Sequence, residues 1–313
     1  MKNTVECECG VSVIVLTYNH ERYIAKALNS IMCQKTKFPF EILVGDDASS
    51  DKTSDILRDY MKLNDERLHI FIREKNIGAT ANLVDLLKHA RGKYVASCEG
   101  DDFWTDPQKL QKQVDFLESN DLYIACTHPV MLVDENGVQH KKQTLKWVKN
   151  KSVYKFKDFN GIYLPGHPSS MVYRNIISRD TSMCSLISDT HLHIADRTIA
   201  MLLSAHGNIA RIDDNMASYR QLLGKNDANL TTRCFANSSY GKLTNVEIAN
   251  KLERYARNVL NRRVNYDFLR ADMLIRALVK SVIKRSPHEF DCAKKIFKEW
   301  INYRKEQRKS MVN

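Results

Sequence analysis

The sequence predicts an α/β protein in which a mostly parallel sheet is flanked by helices and followed by a C-terminal helical appendage. Three observations support this prediction. Short apolar, β-branched runs recur along the first 128 residues, amphipathic segments alternate with these runs, and the end of the chain shows only helical periodicity. Strand–helix alternation with short connections is typical of a parallel sheet with helices on both faces.

The elements of the first half follow from apolar pattern and capping residues. Val11–Leu16 is a continuous apolar run, as expected for a buried parallel strand. Ser50 or Asp51 can cap the second helix, and Pro107 suits the opening of the fourth. The predicted strands are 11–16, 41–45, 68–72, 93–98 and 122–127, and the predicted helices are 21–33, 53–64, 79–90 and 107–119.

The second half is less regular. Residues 130–160 are polar and predict a hairpin or a mobile loop, with a turn at Asn136-Gly137. Residues 185–206 have a helical pattern, and 209–220 predict a strand that returns to the core. Three amphipathic helices are predicted at the end, over 243–263, 265–285 and 288–308.

The net charge of +11 is concentrated at the end of the chain. Residues 241–313 contain 18 Lys and Arg against 8 Asp and Glu, whereas the other 240 residues contain 30 against 29. A surplus of this kind favours an anionic surface, either phospholipid headgroups or nucleic acid. We therefore expect a catalytic domain over 1–225, with halves of about 8–128 and 129–225, and a basic helical region over 226–313.

Targeting signals are not evident in the sequence. No run approaches the length of about 18 apolar residues that spans a bilayer. The segment 1–10 carries Glu6 and Glu8 and no apolar core, so we expect a cytoplasmic protein whose eight cysteines are reduced. Cys7-Glu-Cys9 lacks partners at the spacing of a zinc site.

Acidic and amide side chains follow several predicted strands, where parallel sheets bind their ligands. Glu99-Gly-Asp-Asp102 places three carboxylates within four residues, and their repulsion would be relieved by Mg²⁺ or Mn²⁺. A solvated helix cap is an equally good interpretation of this turn alone. Asp46-Asp47 can accept hydrogen bonds from a base or a ribose, or can form an Asx-turn.

The order of these motifs along the chain is more specific than any one of them. The ordered motifs are Val13–Asn19, Ile42–Asp51, Asn76–Gly78 with Asn82, Ala90–Val95 and Glu99–Pro107. This order resembles the family 2 glycosyltransferases, which have the GT-A fold of the nucleotide-diphospho-sugar transferases. The resemblance covers about residues 11–220 and is dense up to residue 128.

The resemblance implies a donor site at the strand ends. Thr17 and Asp47 would contact the nucleoside, with Asp46 a weaker candidate. Glu99 stands where many members have the first Asp of an Asp-x-Asp signature, which implies a ribose or phosphate contact. Asp101 and Asp102 would lie nearest a bound Mn²⁺ or Mg²⁺. The full implied nucleotide-sugar set is Thr17, Asn19, Asp46, Asp47, Asn76, Glu99, Asp101 and Arg220.

The resemblance also implies an acceptor side. Asp196 matches the carboxylate that acts as general base, although an N-cap Asp is the alternative, and Asp189 is the second candidate. Trp104 and His167 are candidate acceptor contacts. His191 and His193 invite a metal interpretation, but helical spacing would direct them to different faces.

The resemblance therefore implies an inverting, metal-assisted glycosyltransferase that moves a sugar from a nucleotide-sugar, such as a UDP-sugar, to a hydroxyl of a lipid-linked or polysaccharide acceptor. The acceptor type includes polyprenyl-diphosphate-linked glycans at the inner face of the cell membrane. Apolar and basic residues over 266–285 suit an interfacial helix or a hairpin packed on the catalytic domain.

Two other functions are weighed against this one. A nucleotidyltransferase on a related fold usually has a glycine-rich loop after the first strand, and Thr17–Tyr23 contains no glycine. A non-enzymatic nucleic-acid or membrane binder would explain the charge. Nucleic acid is not expected, because the basic surplus lies outside the motifs and no nucleic-acid signature is present.

Overall fold

The computed structural model describes residues 9–141, 143–221 and 239–309. Cys7 and residues 226–238 of the predicted basic region lie outside these ranges. The chain forms two compact units. The first takes the described part of Met1–Asp158 together with Leu164–Gln221, and the second takes Phe159–Tyr163 with the described part of Leu222–Asn313.

Strands and helices alternate through the first unit, as the apolar pattern predicts. The strands are β1 (Val11–Thr17), β2 (Phe40–Asp46), β3 (Leu68–Ile72), β4 (Tyr94–Glu99), β5 (Phe103–Trp104), β6 (Tyr123–Thr127), β7 (Val130–Val133), β8 (Val153–Tyr154), β9 (Val172–Arg174), β10 (Asn208–Arg211) and β11 (Ala217–Arg220). The helices are α1 (Ile24–Met32), α2 (Thr53–Met61), α3 (Ala79–His89), α4 (Lys109–Glu118), α5 (Thr181–Thr190) and α6 (Asp196–His206).

The main sheet has eight strands in the order β3-β2-β1-β4-β9-β6-β10-β8. Strand β1 pairs in parallel with β2 and β4, whereas β9 is antiparallel to both of its neighbours. Alternate residues of β1, namely Val11, Val13 and Val15, belong to the same hydrophobic core cluster as helix residues such as Leu28. The predicted mostly parallel sheet flanked by helices is confirmed. A separate three-stranded sheet has the order β5-β11-β7.

Two elements that the sequence predicts as continuous are each divided in the structure, so these two predictions are wrong. The helix predicted over 185–206 is two helices, α5 and α6, separated by residues 191–195. His191 is extended there, and its ring nitrogen accepts a hydrogen bond from the backbone of His193, which replaces the helical pattern. The strand predicted over 209–220 is β10 and β11, which lie in different sheets on either side of a polar segment at 213–215.

The parallel register brings the ends of three strands together. Thr17 at the end of β1 is opposite Asp46 at the end of β2. On the other side of β1, Leu16 is opposite Glu99 at the end of β4. Three of the predicted loops therefore meet at one edge of the sheet, which is where parallel α/β sheets bind ligands.

The described part of the second unit, residues 239–309, contains three helices, and the predicted helical end of the chain is confirmed. These helices are α7 (Ser239–Asn258), α8 (Asp267–Ile283) and α9 (Pro287–Lys309). Pro287 is the first residue of α9, a position where proline costs no hydrogen bond. Arg270 of α8 is fully buried and is held by Asn250 and Glu253 of α7.

Among the described residues, no helix is both long and apolar enough to cross a membrane. The described cysteines are free thiols, and four of them are buried.

Candidate active site

The acidic turn Glu99–Asp102 follows β4 and is closely packed. Asp101 and Asp102 are 5% and 1% exposed. Gly100 is required by its neighbours, because a Cβ there would lie 2.8 Å from both His20 Nδ1 and Thr17 Oγ1. The lack of a side chain at Gly100 therefore lets the turn lie against the end of β1.

Asp102 is braced from two distant segments. Its Oδ2 accepts a hydrogen bond from the Ser169 hydroxyl, and its Oδ1 accepts one from the backbone N–H of Arg220 at 2.9 Å. Burial and the charges of Asp101 and Glu99 raise the pKa of Asp102. Both oxygens of this carboxylate are therefore occupied within the protein.

Glu99 of the acidic turn is affected by the charge of Asp196, the first residue of helix α6. Both side chains are partly accessible to solvent. Burial, with the negative charges of Asp101 and Asp196, raises the pKa of Glu99 to about 8. Burial also raises the pKa of Asp196, whose Oδ1 accepts a hydrogen bond from Arg197 N at 2.7 Å. The carboxylate at the start of α6 therefore shares one electrostatic environment with the acidic turn.

His20 joins two of the predicted site residues and was not predicted from the sequence. Its Nδ1 lies 3.3 Å from Thr17 Oγ1, and its Nε2 lies 3.9 Å from Asp101 Oδ2. The only sequence signal for His20 is its place in the loop after β1. Ser169 was also missed, although it lies only two positions after the predicted acceptor contact His167.

Asp47 and Asn76 form one clamp at the end of β2. The two Asp47 oxygens accept hydrogen bonds from Ile77 N at 2.7 Å and Gly78 N at 2.9 Å. The Asn76 side chain donates to the carbonyl of Asp47 at 3.1 Å. Gly78 has φ +90°, which favours glycine. The second and third predicted motifs thus fix each other.

Asp46 and Asn19 hold the loop that follows β2. Asp46 is fully buried, and its oxygens accept hydrogen bonds from the hydroxyls of Ser49 and Ser54. Asn19 accepts a hydrogen bond from Ser50 N at 2.8 Å. Both side chains are therefore engaged with the protein itself.

Arg220 is 2% exposed and is directed at backbone carbonyls. Its Nε donates to Asp101 O at 2.9 Å, and its Nη1 donates to Asp134 O and Glu135 O at 2.9 and 2.8 Å. The guanidinium also lies 4.4 Å from the centre of the Tyr23 ring. These contacts fix the acidic turn against residues 134–135.

Trp104 and His167 are buried beside Ser169. The Trp104 indole N–H donates to Ser169 O at 3.2 Å, and His167 Nδ1 accepts from Ser169 N at 3.2 Å. The His167 ring packs 4.2 Å from the ring of Tyr219, and burial lowers its pKa to about 3. His167 is therefore a neutral, packed imidazole in this structure.

The carboxylates of the acidic turn can hold a divalent cation only if other ligands complete its coordination. Within the described ranges, no group of three or more His, Cys, Asp or Glu side chains is arranged to hold a metal ion. The turn nevertheless concentrates buried carboxylates that repel one another. One or two carboxylates completed by substrate phosphates is a common arrangement for Mg²⁺. His191 and His193 lie in the segment between α5 and α6, not on a helix, and belong to no such group.

Comparisons with known proteins agree with this architecture. The model described as Glycosyl transferase family 2 matches residues 12–180. An uncharacterized protein of Mycobacterium tuberculosis is 36% identical over 213 residues, which are 67% of this chain and 58% of that protein. An uncharacterized glycosyltransferase of Methanocaldococcus jannaschii is 33% identical over 174 residues, which are 54% of this chain and 57% of that protein.

A solved structure shows the same fold. The crystal structure of residues 1–349 of S. aureus TarS in complex with UDP-GlcNAc has a TM-score of 0.55 at 19% identity, covering 96% of this chain and 92% of that chain. The large mostly parallel sheet with its flanking helices is a GT-A fold. This chain belongs to glycosyl transferase family 2. It matches 58% of the length of its mycobacterial relative.

Proposed function

We propose that this protein transfers a sugar from a nucleotide-sugar, such as a UDP-sugar, to a hydroxyl group of a glycan acceptor with inversion at the anomeric carbon. One observation carries the proposal. The acidic turn at the end of β4 and Asp196 at the start of α6 form one group of electrostatically interacting carboxylates, of which Glu99 and Asp196 are partly accessible, at the ligand-binding edge of the sheet.

Donor binding is assigned to the edge formed by β1, β2 and β4. Thr17 and Asp47 contact the nucleoside: each Asp47 oxygen accepts one backbone N–H and keeps a second lone pair for a donor of the base or ribose. The Asn76 side chain donates to the Asp47 carbonyl and so positions this residue. Glu99 lies on the ribose or phosphate side. Asn19, Asp46 and Arg220 serve this site mainly by positioning its loops, since their side chains already hold protein groups.

Asp101 is the better of the two metal candidates, because both Asp102 oxygens already accept hydrogen bonds. Asp101, together with the donor diphosphate, would hold Mn²⁺ or Mg²⁺. When bound, the cation neutralises the charge that develops on the departing diphosphate. Asp102 then acts as a brace for the turn.

Asp196 is assigned as the general base. It takes the proton of the acceptor hydroxyl while that oxygen attacks the anomeric carbon and the bond to the diphosphate breaks. A nucleoside diphosphate leaves, and attack from the opposite face inverts the anomeric centre. Its raised pKa makes the carboxylate a stronger base than an ordinary aspartate. The acceptor is proposed to be a lipid-linked or polysaccharide glycan at the inner face of the cell membrane. Trp104 and His167 are buried and would shape the acceptor side of the site from beneath its surface.

Substitution of Asp196 or Asp101 tests these assignments. We expect Asp196→Asn and Asp101→Asn each to lower turnover by about 100-fold or more, since general-base and charge-stabilising groups contribute on that scale. The assay follows release of UDP from a UDP-sugar with Mn²⁺, alongside pyrophosphate. Asp189→Asn is the matched control, because it changes an aspartate at the end of α5 outside the cluster.

Near-normal turnover in Asp196→Asn, or loss of turnover only in Asp189→Asn, would contradict the base assignment. Release of pyrophosphate in place of UDP would instead indicate a nucleotidyltransferase.

A further inference from the structure

Helix α8 has a buried apolar face and a second apolar face that is exposed. Leu269, Met273 and Ala277 are buried within the second unit. On the other side of the helix, five large apolar side chains are 51 to 85% exposed. We call these residues the α8 stripe, and they are Phe268, Ile275, Val279, Val282 and Ile283.

The spacing of the α8 stripe makes it a continuous surface. Phe268, Ile275, Val279 and Val282 follow one another at intervals of seven, four and three positions, which places them on one side of an α-helix. Single exposed apolar side chains are common on soluble proteins, but a continuous row of them marks an interaction surface. The packing of the second unit therefore leaves this side of α8 without a cover among the described residues.

Helix α9 adds further exposed apolar side chains beside α8. Its Phe290, Phe297 and Ile301 are 47%, 54% and 39% exposed and are spaced by seven and four positions. The two helices pack together, since the Trp300 indole N–H donates to Asp267 at the start of α8 at 2.8 Å. Phe297 lies three positions before Trp300 and Ile301 lies one position after it, so both exposed side chains stand near this contact with α8.

Exposed cations accompany these apolar side chains. The range 267–309, which covers α8 and α9, contains 12 Lys and Arg against 6 Asp and Glu. Arg276 is 65% exposed on its side chain, and Lys284 and Arg285 directly follow the last residues of the stripe. Other exposed cations near these apolar side chains are Lys284, Arg285, Lys294, Lys295 and Lys298.

We propose that the α8 stripe, with Phe290, Phe297 and Ile301 of α9, docks on the surface of an anionic phospholipid bilayer. The apolar side chains enter the boundary between headgroups and acyl chains, and the surrounding lysines and arginines contact lipid phosphates. A second copy of the chain would cover the apolar side chains equally well, but it would bring like charges together. Charge complementarity therefore favours the bilayer, and the docking is independent of the proposed sugar transfer.

Vesicle binding of the full chain tests this proposal. The probe is a vesicle of equal parts phosphatidylglycerol and phosphatidylcholine, compared with phosphatidylcholine alone, in a co-sedimentation assay. We expect binding to the anionic vesicles that weakens as salt is raised. Phe268→Ser/Val279→Ser/Val282→Ser should lower the affinity about tenfold or more. Leu122→Ser/Val138→Ser is the matched control, because these residues are 79% and 63% exposed in the first unit.

A second variant keeps the apolar side chains and removes charge. Lys284→Gln/Arg285→Gln should also weaken binding to anionic vesicles, and circular dichroism should show that every variant keeps its helices. The proposal is overturned if the unsubstituted chain ignores anionic vesicles, or if the stripe variant binds them as the control does. It is also overturned if the stripe variant only converts a dimer to a monomer in sedimentation velocity.

Discussion

Ser169 connects three parts of the candidate site although it carries no charge. It is fully buried, its hydroxyl donates to Asp102, and its carbonyl accepts from the Trp104 indole. A buried carboxylate that loses a hydrogen-bond donor becomes harder to keep ionised. Ser169 is thus a positioning residue for the acidic turn.

We predict that Ser169→Ala lowers turnover by about 10- to 100-fold, which is the usual effect of removing an outer partner of a functional carboxylate. The Michaelis constant for the donor should change less, because the side chain that the Ser169 hydroxyl holds is that of Asp102, which is proposed to brace the turn and not to bind the nucleoside. Steady-state kinetics at saturating Mn²⁺ would measure both quantities.

Ser170 offers a control at the neighbouring position. It is also fully buried, but its hydroxyl donates to the carbonyl of His167 at 2.7 Å and does not reach the acidic turn. Ser170→Ala should cost a similar free energy of unfolding, about 1 kcal/mol, and leave turnover nearly intact. Equal losses of turnover in the two variants would show that Ser169 matters only for folding.

At the scale of single residues the sequence nominates candidates for the site, but it does not predict their contacts. Asp47, Glu99, Asp101 and Asp196 could be selected because acidic groups follow strands or begin a helix in the family's order. Ser169 could not, because its partner Asp102 is 67 positions away and no local pattern predicts that pairing.

Glu289 links the three helices of the second unit. Its carboxylate is 6% exposed and lies 3.0 Å from Lys242 Nζ of α7 and 2.8 Å from Lys280 Nζ of α8. Burial opposes ionisation, but hydrogen bonds from Lys280, Lys242 and Ser239 outweigh it and lower the pKa of Glu289 to about 2. Because the pKa is lower in the folded state than its ordinary value of 4.5, the charged form stabilises the fold.

We predict that Glu289→Gln lowers the free energy of unfolding by about 2 kcal/mol at pH 7, a value below the full linkage because the glutamine carbonyl can still accept a hydrogen bond from a lysine. The stabilisation by Glu289 is complete above pH 4.5 and is lost as the pH falls toward 2. The difference between the two proteins should therefore shrink across this window. Thermal unfolding followed by circular dichroism at several pH values would measure it.

Asp291→Asn is the control, since this side chain is 64% exposed and meets only Lys294 at 3.5 Å among the described ion pairs. It should change the unfolding temperature little at any pH. A Glu289→Gln difference that is the same at pH 2.5 and pH 7 would be inconsistent with ionisation as its cause.

Whole elements were predicted well where their pattern was long and poorly where it was short. The helices of the second unit each span 17 residues or more, so their periodicity is clear. Strand β9 has only three residues, and its antiparallel place between β4 and β6 follows from tertiary pairing. The division of 185–206 was hidden because residues 191–195 leave the helix through a local hydrogen bond.

The basic surplus and the candidate site belong to different compact units. Every candidate site residue lies in the first unit, whereas residues 241–313 hold a surplus of ten positive charges. One short segment, Phe159–Tyr163, joins the second unit, and the Phe159 ring lies 6.0 Å from the ring of Tyr266.

We predict that a chain ending at Gln221 still binds the donor. A UDP-sugar with Mn²⁺ should raise its unfolding temperature, because a ligand that binds only the folded state stabilises it. Without ligand, the shortened chain should unfold at a lower temperature than the full protein, since Phe159 loses its ring partner Tyr266 and becomes exposed.

The full chain with the same ligands is the positive control for this thermal-shift measurement. The absence of any shift in the shortened chain, together with a clear shift in the full chain, would show that donor binding needs the second unit.

The brace on Asp102 also has a consequence for the order of folding. Its two hydrogen-bond donors come from residues 67 and 118 positions later in the chain. Contacts between such distant residues form late, because long loops must close first. During synthesis the strand that carries the acidic turn would leave the ribosome well before Arg220. A nascent chain that has built β1 to β4 therefore still lacks the brace on the candidate site, which is complete only when the last strand of the first unit has been added.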